Sequence, residues 1–228
     1  MYTRKHLISV LLAATALLVL LSTVSTAAGK LATPALPAGH YVLDPAHANI
    51  TFKLSHMGFS FYTASFSRFD ASFEGDPAHP AKATLLANID VGSLSLPTPP
   101  EGFLAELLGP QWLNASMHPQ MTYRSQQITS TGTHTARVIG DFTLNGKTVS
   151  VPLEVTFNGG YRGFAGMDPN ARVGYSAHGS LNRSDFGIKT GIPAKGTTLG
   201  VGDRVDFMIE AEFIGPPLAA ADFPQPSK

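Results

Sequence analysis

Two side chains in this sequence sit where chemistry could happen. His56 shares strand parity with Ile50, Phe52 and Leu54, so it continues an apolar face. There it either donates to a polar head group at a pocket mouth or is a core histidine satisfied by backbone. Arg183 shares parity with Tyr175, Ala177 and Leu181 and is followed by Ser184 and Asp185. An inward arginine is costly unless it is paired. It either meets Asp185, pinning the turn before Phe186-Gly187-Ile188, or grips an anionic ligand group with its planar fork.

Beyond these two, the chemistry is sparse. The chain has no cysteine, so it holds neither a thiol nucleophile nor a disulfide. No G-x-S-x-G elbow, P-loop, dinucleotide-binding glycine motif or H-E-x-x-H zinc motif occurs. Of eight histidines, His6 lies in the N-terminal segment; the others, His40, His47, His56, His79, His118, His134 and His178, are scattered without metal-ligand spacing. Catalysis by His56, Arg183 and Asp185 would rest on proximity alone. The residues by themselves thus offer no recognised catalytic motif and favour a binding protein, with an enzyme and a metal site assembled from distant strands left as alternatives.

The elements that carry these residues are strands. Alternating apolar residues mark Leu85 to Val91, Val138 to Leu144, Val149 to Phe157, Val173 to Leu181 and Val205 to Phe213. Phe66 lies on one parity and Phe69, Ala71 and Phe73 on the other, which predicts a bulge near Ser67 and Arg68. Asn145-Gly146 predicts a type I′ turn joining an antiparallel hairpin from Thr135 to Asn158. Pro152 lacks an N–H, so its strand should be an edge or be distorted there. One short helix is expected over Gly102–Leu108, between proline-rich Leu96–Pro100 and Gly109-Pro110. The sum is an all-β domain of about eight antiparallel strands, a count that suits a sandwich or a closed barrel.

At the N-terminus, Arg4 and Lys5 precede an apolar run from Leu7 to Leu21 and a small, polar stretch from Ser22 to Ala28. That order predicts a cleavable export signal over residues 1–28, too short for the ~20 residues of a membrane span. The expected division is then a leader over 29–39, a barrel domain over 40–214 and a flexible tail over 215–228. The chain has 16 basic and 16 acidic residues. Loss of Arg4 and Lys5 leaves 14 against 16, a net charge of −2. With no basic stripe to neutralise phosphates, nucleic-acid binding is excluded.

The order and spacing of several short motifs resemble the YceI-like family of exported polyisoprenoid-binding proteins. They are Tyr41-Val-Leu-Asp44-Pro-Ala-His47, His56-Met-Gly58-Phe59-Ser60, Phe69-Asp-Ala-Ser-Phe73-Glu-Gly75, Trp112-Leu-Asn-Ala-Ser-Met-His-Pro119, Gly140-Asp-Phe-Thr143-Leu144-Asn-Gly146 and Arg183-Ser184-Asp185-Phe186-Gly187-Ile188. The resemblance spans Tyr41 to Phe213. It departs at Ala48, at Trp112-Leu113-Asn114, at Leu96–Pro100 and in the glycine-rich stretch Asn158–Gly166.

The resemblance implies a lipocalin-like, eight-stranded antiparallel barrel with one short helix, one that is not an enzyme and has no metal and no cofactor. A long isoprenoid or other lipid would lie inside it, in the periplasm. Some relatives are associated with cytochrome b561-type membrane partners, which leaves a quinone-like ligand or a docking role open, as it does a homodimer. Parity and position give the expected ligand-binding residues. Phe52, Leu54, His56, Phe59, Phe66 and Phe69 come from the first strands. Trp112, Tyr123 and Phe142 come from the middle of the chain, and Tyr175, Arg183, Phe186 and Phe207 from its last third.

Overall fold

The computed structural model describes residues 36–77, 79–164 and 166–218. The export signal expected over 1–28 and the chain beyond 218 lie outside the described residues. Ten strands occur among those described: β1 (Gly39–His56), β2 (Ser60–Phe66), β3 (Phe69–Gly75), β4 (Thr84–Asp90), β5 (Leu94–Ser95), β6 (Gln120–Ser130), β7 (Thr135–Leu144), β8 (Lys147–Tyr161), β9 (Asn170–Asn182) and β10 (Val201–Pro217). The one α-helix among them, α1, covers Phe103–Leu108.

The strands form a single antiparallel sheet that β1 closes by pairing with β10. β2 and β3 share one place in the ring. β2 pairs with the C-terminal half of β1, from Ile50↔Phe66 to His56↔Ser60, and β3 pairs with its N-terminal half, from Gly39↔Gly75 to Val42↔Ser72. β5 extends the place of β4 in the same way. The result is an eight-stranded barrel, a closure that leaves no long unpaired edge.

Local sequence sets most of the joints. Asn145 (φ 50°) and Gly146 (φ 71°) make the tight β7–β8 turn, because both central residues of a type I′ turn need positive φ. β2 ends at Phe66 and β3 begins at Phe69, so Ser67 and Arg68 absorb the change of parity and both phenylalanines face inward. Arg68 clamps this break by donating from Nε and Nη2 to Asp90 Oδ2, at 2.9 and 2.8 Å. At Pro152 the β8–β7 ladder continues opposite Ile139, while the β8–β9 ladder extends only as far as Glu154↔His178.

Three features depart from the sequence reading. β1 carries an insertion at Asp44–His47: Leu43 pairs with Phe213, and Ala48 pairs next, with Ala211. The inward set therefore changes from Tyr41 and Leu43 to Ile50, Phe52 and Leu54. β6 was absent from the alternating runs because a second register shift, between Ser125 and Gln127, breaks its period, and its far half is polar. β10 also runs on to Pro217, with Tyr41 packed so closely on Gly215 that a Cβ there would overlap its ring.

The strand ends define two ends of the barrel. The tight turns at 57–59 and 145–146, the long 91–119 segment with α1, and the 183–200 loop lie at one end. The opposite end is tightly packed on one side. There Tyr41 stacks on Phe73 with centroids 4.6 Å apart, Phe213 meets Phe73 edge-on, and Val173 is 1% exposed.

Candidate functional site: an apolar lumen

The barrel is hollow. Its lumen has a volume of about 660 Å³, within the roughly 300–1,000 Å³ of small-molecule pockets. Inward side chains such as Phe52, Tyr175, Phe207 and Ile209 are only half-buried although they point away from solvent, because they face this space. The lumen extends from His56 and Pro100, exposed lining residues at the α1 end, to Asp76, Pro80 and Ala136 at the other. The exposed pair marks the mouth.

Glycines on the wall keep the lumen open. The Tyr123 ring lies flat over Gly140, where a Cβ would overlap it, and Phe207 lies over Gly179 in the same manner. Each ring is thereby drawn to the wall rather than projecting across the barrel. The Tyr123 hydroxyl donates to the carbonyls of Val138 (3.3 Å) and Val151 (3.1 Å), which locks that arrangement. Burial, reinforced by Asp141, pushes the Tyr123 phenol up; burial alone pushes Tyr175 up to about 12. Both remain neutral at physiological pH.

Eleven of the expected residues line this one space: Phe52, Leu54, His56, Phe66 and Phe69 from β1–β3, Tyr123 and Phe142 from β6 and β7, Tyr175 and Phe207 from β9 and β10, and Trp112 and Arg183 at the mouth end. Two do not line it. Phe59 is 82% exposed, because Met57 (φ 56°) and Gly58 (φ 72°) turn the chain back and leave it at the tip of the hairpin. Phe186 is fully buried behind the wall, edge-on to Phe142 at 5.5 Å between centroids. Lining residues outside the expected set include further apolar residues of the alternating runs, such as Ile89, Val151 and Ile209, and others from segments whose pattern is broken or helical: Leu96, Phe103 and Leu107 around α1 and Ile128 beyond the β6 shift. Tyr62, one of the aromatic residues crowded between Phe59 and Phe73, also lines the space.

Arg183 does not pair with Asp185, and although it borders the lumen its donors are taken by the backbone. It is 4% exposed and donates to three backbone carbonyls: Nε to Gly202 (2.9 Å), Nη1 to Ile188 (3.2 Å) and Nη2 to Val201 (2.8 Å). Its guanidinium carbon lies 5.2 Å from the centre of the Trp112 ring, a cation–π contact. Burial lowers its pKa, and Asp203 opposes that shift. Asp203 is in turn held by Ser184, through N (2.8 Å) and Oγ (2.7 Å). Arg183 thus ties the 183–202 loop together. Asp185 is exposed, and among the described residues His56, Arg183 and Asp185 form no hydrogen-bonded acid–base pair.

A second cleft lies outside the barrel at the Asp44–His47 insertion. Arg172 Nη1 donates to Asp44 (2.5 Å) and its Nε to Asp168 (2.6 Å); His47 Nδ1 lies 3.0 Å from Asp44, and the Tyr161 hydroxyl donates to Asp168. Arg172, then His47, holds the Asp44 carboxyl down at about 2. Asp44, His47 and Glu212 bring ligand-type atoms within 4.8 Å of one another. The Arg172 guanidinium already supplies the positive charge there, 3.9 Å from Glu212. The cluster ties the insertion to β9.

Comparison with known proteins agrees with this architecture. The chain is 35% identical to a UPF0312 protein of Pseudomonas savastanoi over 174 residues, covering 72% of this chain and 87% of that one. Its fold is similar to that of BcnA from Burkholderia cenocepacia, with a TM-score of 0.63 and 24% identity over 75% of this chain and 98% of the other. It is also similar to a polyisoprenoid binding domain from Saccharophagus degradans, with a TM-score of 0.52 and 10% identity over 79% of this chain and all of that one. Residues 41–213, which hold the lumen and its mouth, match the YceI-like domain, and the chain belongs to that family.

Proposed function

We propose that this protein is a periplasmic lipid carrier that holds a polyisoprenoid or similar long apolar chain in its lumen, for transport, storage or stress response. The observation that carries the reading is the hollow, apolar interior running between the two ends of the barrel. Transfer of a hydrocarbon chain from water into such a space is favourable by about 0.8 kcal/mol per CH₂. The Saccharophagus polyisoprenoid binding domain shares the fold, which supports the class of ligand. The N-terminal charge and apolar run support export. The reading assigns the chain no catalytic group, metal or cofactor; the lipid is its ligand.

A second reading makes the barrel a quinone-binding or docking accessory of a cytochrome b561-type membrane protein. Its support is the exposed Phe59, Phe61 and Leu199 at the mouth end. The turn and loop that carry them are joined by Met57 N donating to Gly200 O at 2.7 Å. Mass spectrometry of an organic extract from the purified protein tests the carrier reading. A long-chain isoprenoid in near-stoichiometric amount is the expected result. No co-purifying lipid, together with no uptake of added long-chain lipid, would refute it.

A further inference from the structure

Tyr62 holds the one buried side-chain polar atom without a hydrogen-bond partner among the described residues, its hydroxyl oxygen. The other tyrosines whose hydroxyl bonds are resolved illustrate the contrast. Tyr123 donates to two carbonyls, Tyr41 to Pro37 O at 2.6 Å, and Tyr161 to Asp168. A buried hydroxyl with no acceptor has lost its hydration with no return, and native structures rarely keep such a group without a use for it.

Its place in the barrel suggests the use. Tyr62 is on β2 opposite Leu54, and its side chain lines the lumen. The next lumen-facing residue along β1 from Leu54, toward the opening, is His56, at the mouth. Tyr62 is therefore an apolar wall residue that carries a donor just inside the opening, with Ala64 and Phe66 following it inward. The ring lines the lumen while the hydroxyl oxygen itself is covered, so a turn about its two side-chain torsions presents the O–H to an acceptor brought in by a ligand.

The charges around the lumen limit what that acceptor can be. Apart from tyrosines, the ionisable lining residues are His56, Asp76 and Arg183. Arg183 is spent on three carbonyls, is covered by Trp112 and faces Asp203. Asp76 lies at the far end, 2.7 Å from His79 Nδ1, and offers an anion no positive charge. A carboxylate or phosphate drawn to the depth of Tyr62 would be desolvated, with only the solvent-exposed His56 imidazole at the mouth as a partner.

Resting on the carrier reading, we infer that the Tyr62 hydroxyl is the mouth-side polar contact of the lumen, and that the chain it holds carries an uncharged acceptor near its mouth-side end, a carbonyl or ether oxygen. The test compares a long straight-chain alkane, the methyl ketone of the same length and the matching carboxylate. Each displaces a fluorescent apolar probe from the full chain stripped of lipid, as wild type and as Tyr62→Phe. Wild type should prefer the ketone to the alkane about three- to tenfold, the size of one hydrogen bond. Tyr62→Phe should lose that preference, keep its alkane affinity, and melt without ligand at or above the wild-type temperature. The inference is overturned if the variant keeps the ketone preference, if wild type shows none, or if the carboxylate binds tighter than the ketone. If neither alkane nor ketone binds, the carrier reading itself fails.

Discussion

Ala177→Phe separates a hollow barrel from a packed one by the sign of its effect. Ala177 lies on β9 between Val155 of β8 and Ile209 of β10, points into the lumen and is only half-buried. In a close-packed core, added bulk of this kind forces strain and costs about 1–3 kcal/mol. In a lumen of about 660 Å³ the ring has room. Full burial of a phenylalanine is worth roughly 1.5–3 kcal/mol relative to exposure. Because the lumen already shields part of that surface, about 1 kcal/mol of stabilisation is expected, a rise of roughly 2–4 °C in melting temperature for a domain of this size. The same ring takes up volume that a ligand chain needs, so affinity for a long-chain probe should fall at least tenfold, or about 1.4 kcal/mol. Thermal melts followed by circular dichroism, paired with probe titrations, measure both. A drop of several degrees with probe affinity intact would show that the interior is filled and that the chain binds elsewhere.

Two further outcomes follow from the polar networks. Arg183→Met keeps an apolar stem but leaves the carbonyls of Ile188, Val201 and Gly202 without their donor, so urea midpoints should indicate a loss of about 3 kcal/mol. Alkane affinity of the folded fraction should stay within a few fold, whereas unchanged stability with abolished binding would make Arg183 a ligand group. For Asp44, the folded carboxyl is depressed from the ordinary 3.8 to about 2 by Arg172 and then His47. A depressed pKa stabilises above the unfolded value and the contribution is lost as pH falls through the folded one. Stability should therefore decline between about pH 4 and pH 2, and Asp44→Asn should flatten that part of the curve. Equal acid sensitivity in both proteins would count against the assignment.

Much of the wall was legible residue by residue. Period-two alternation reports which face of a strand is apolar, and Phe52, Leu54, Tyr175 and Phe207 face inward as their parity requires. Parity fails wherever a strand gains residues. The Asp44–His47 insertion reverses the inward set within β1, and the shift in β6 hides Ile128. Phe59 shares its local sequence with lumen residues, yet a turn with two positive φ angles puts it outside. Arg183 looked like half of an Arg–Asp pair because Asp185 is its neighbour in sequence. Its actual acceptors are backbone carbonyls, which every residue carries and no residue type advertises.

By itself, then, the sequence determined a cysteine-free, antiparallel all-β domain, its tightest turn at Asn145-Gly146 and the absence of known catalytic motifs. These depend on side-chain type and near-neighbour spacing. Only the tertiary structure decided that the barrel is hollow. An apolar strand face is equally content against a packed core or a lumen, and the difference is made by closure of β1 onto β10 and by rings that lie on glycines. Tyr123 on β6 covers Gly140 on β7, and Phe207 on β10 covers Gly179 on β9. Those pairings are spaced too irregularly to leave a period in the chain, and they leave open the space that a ligand can fill.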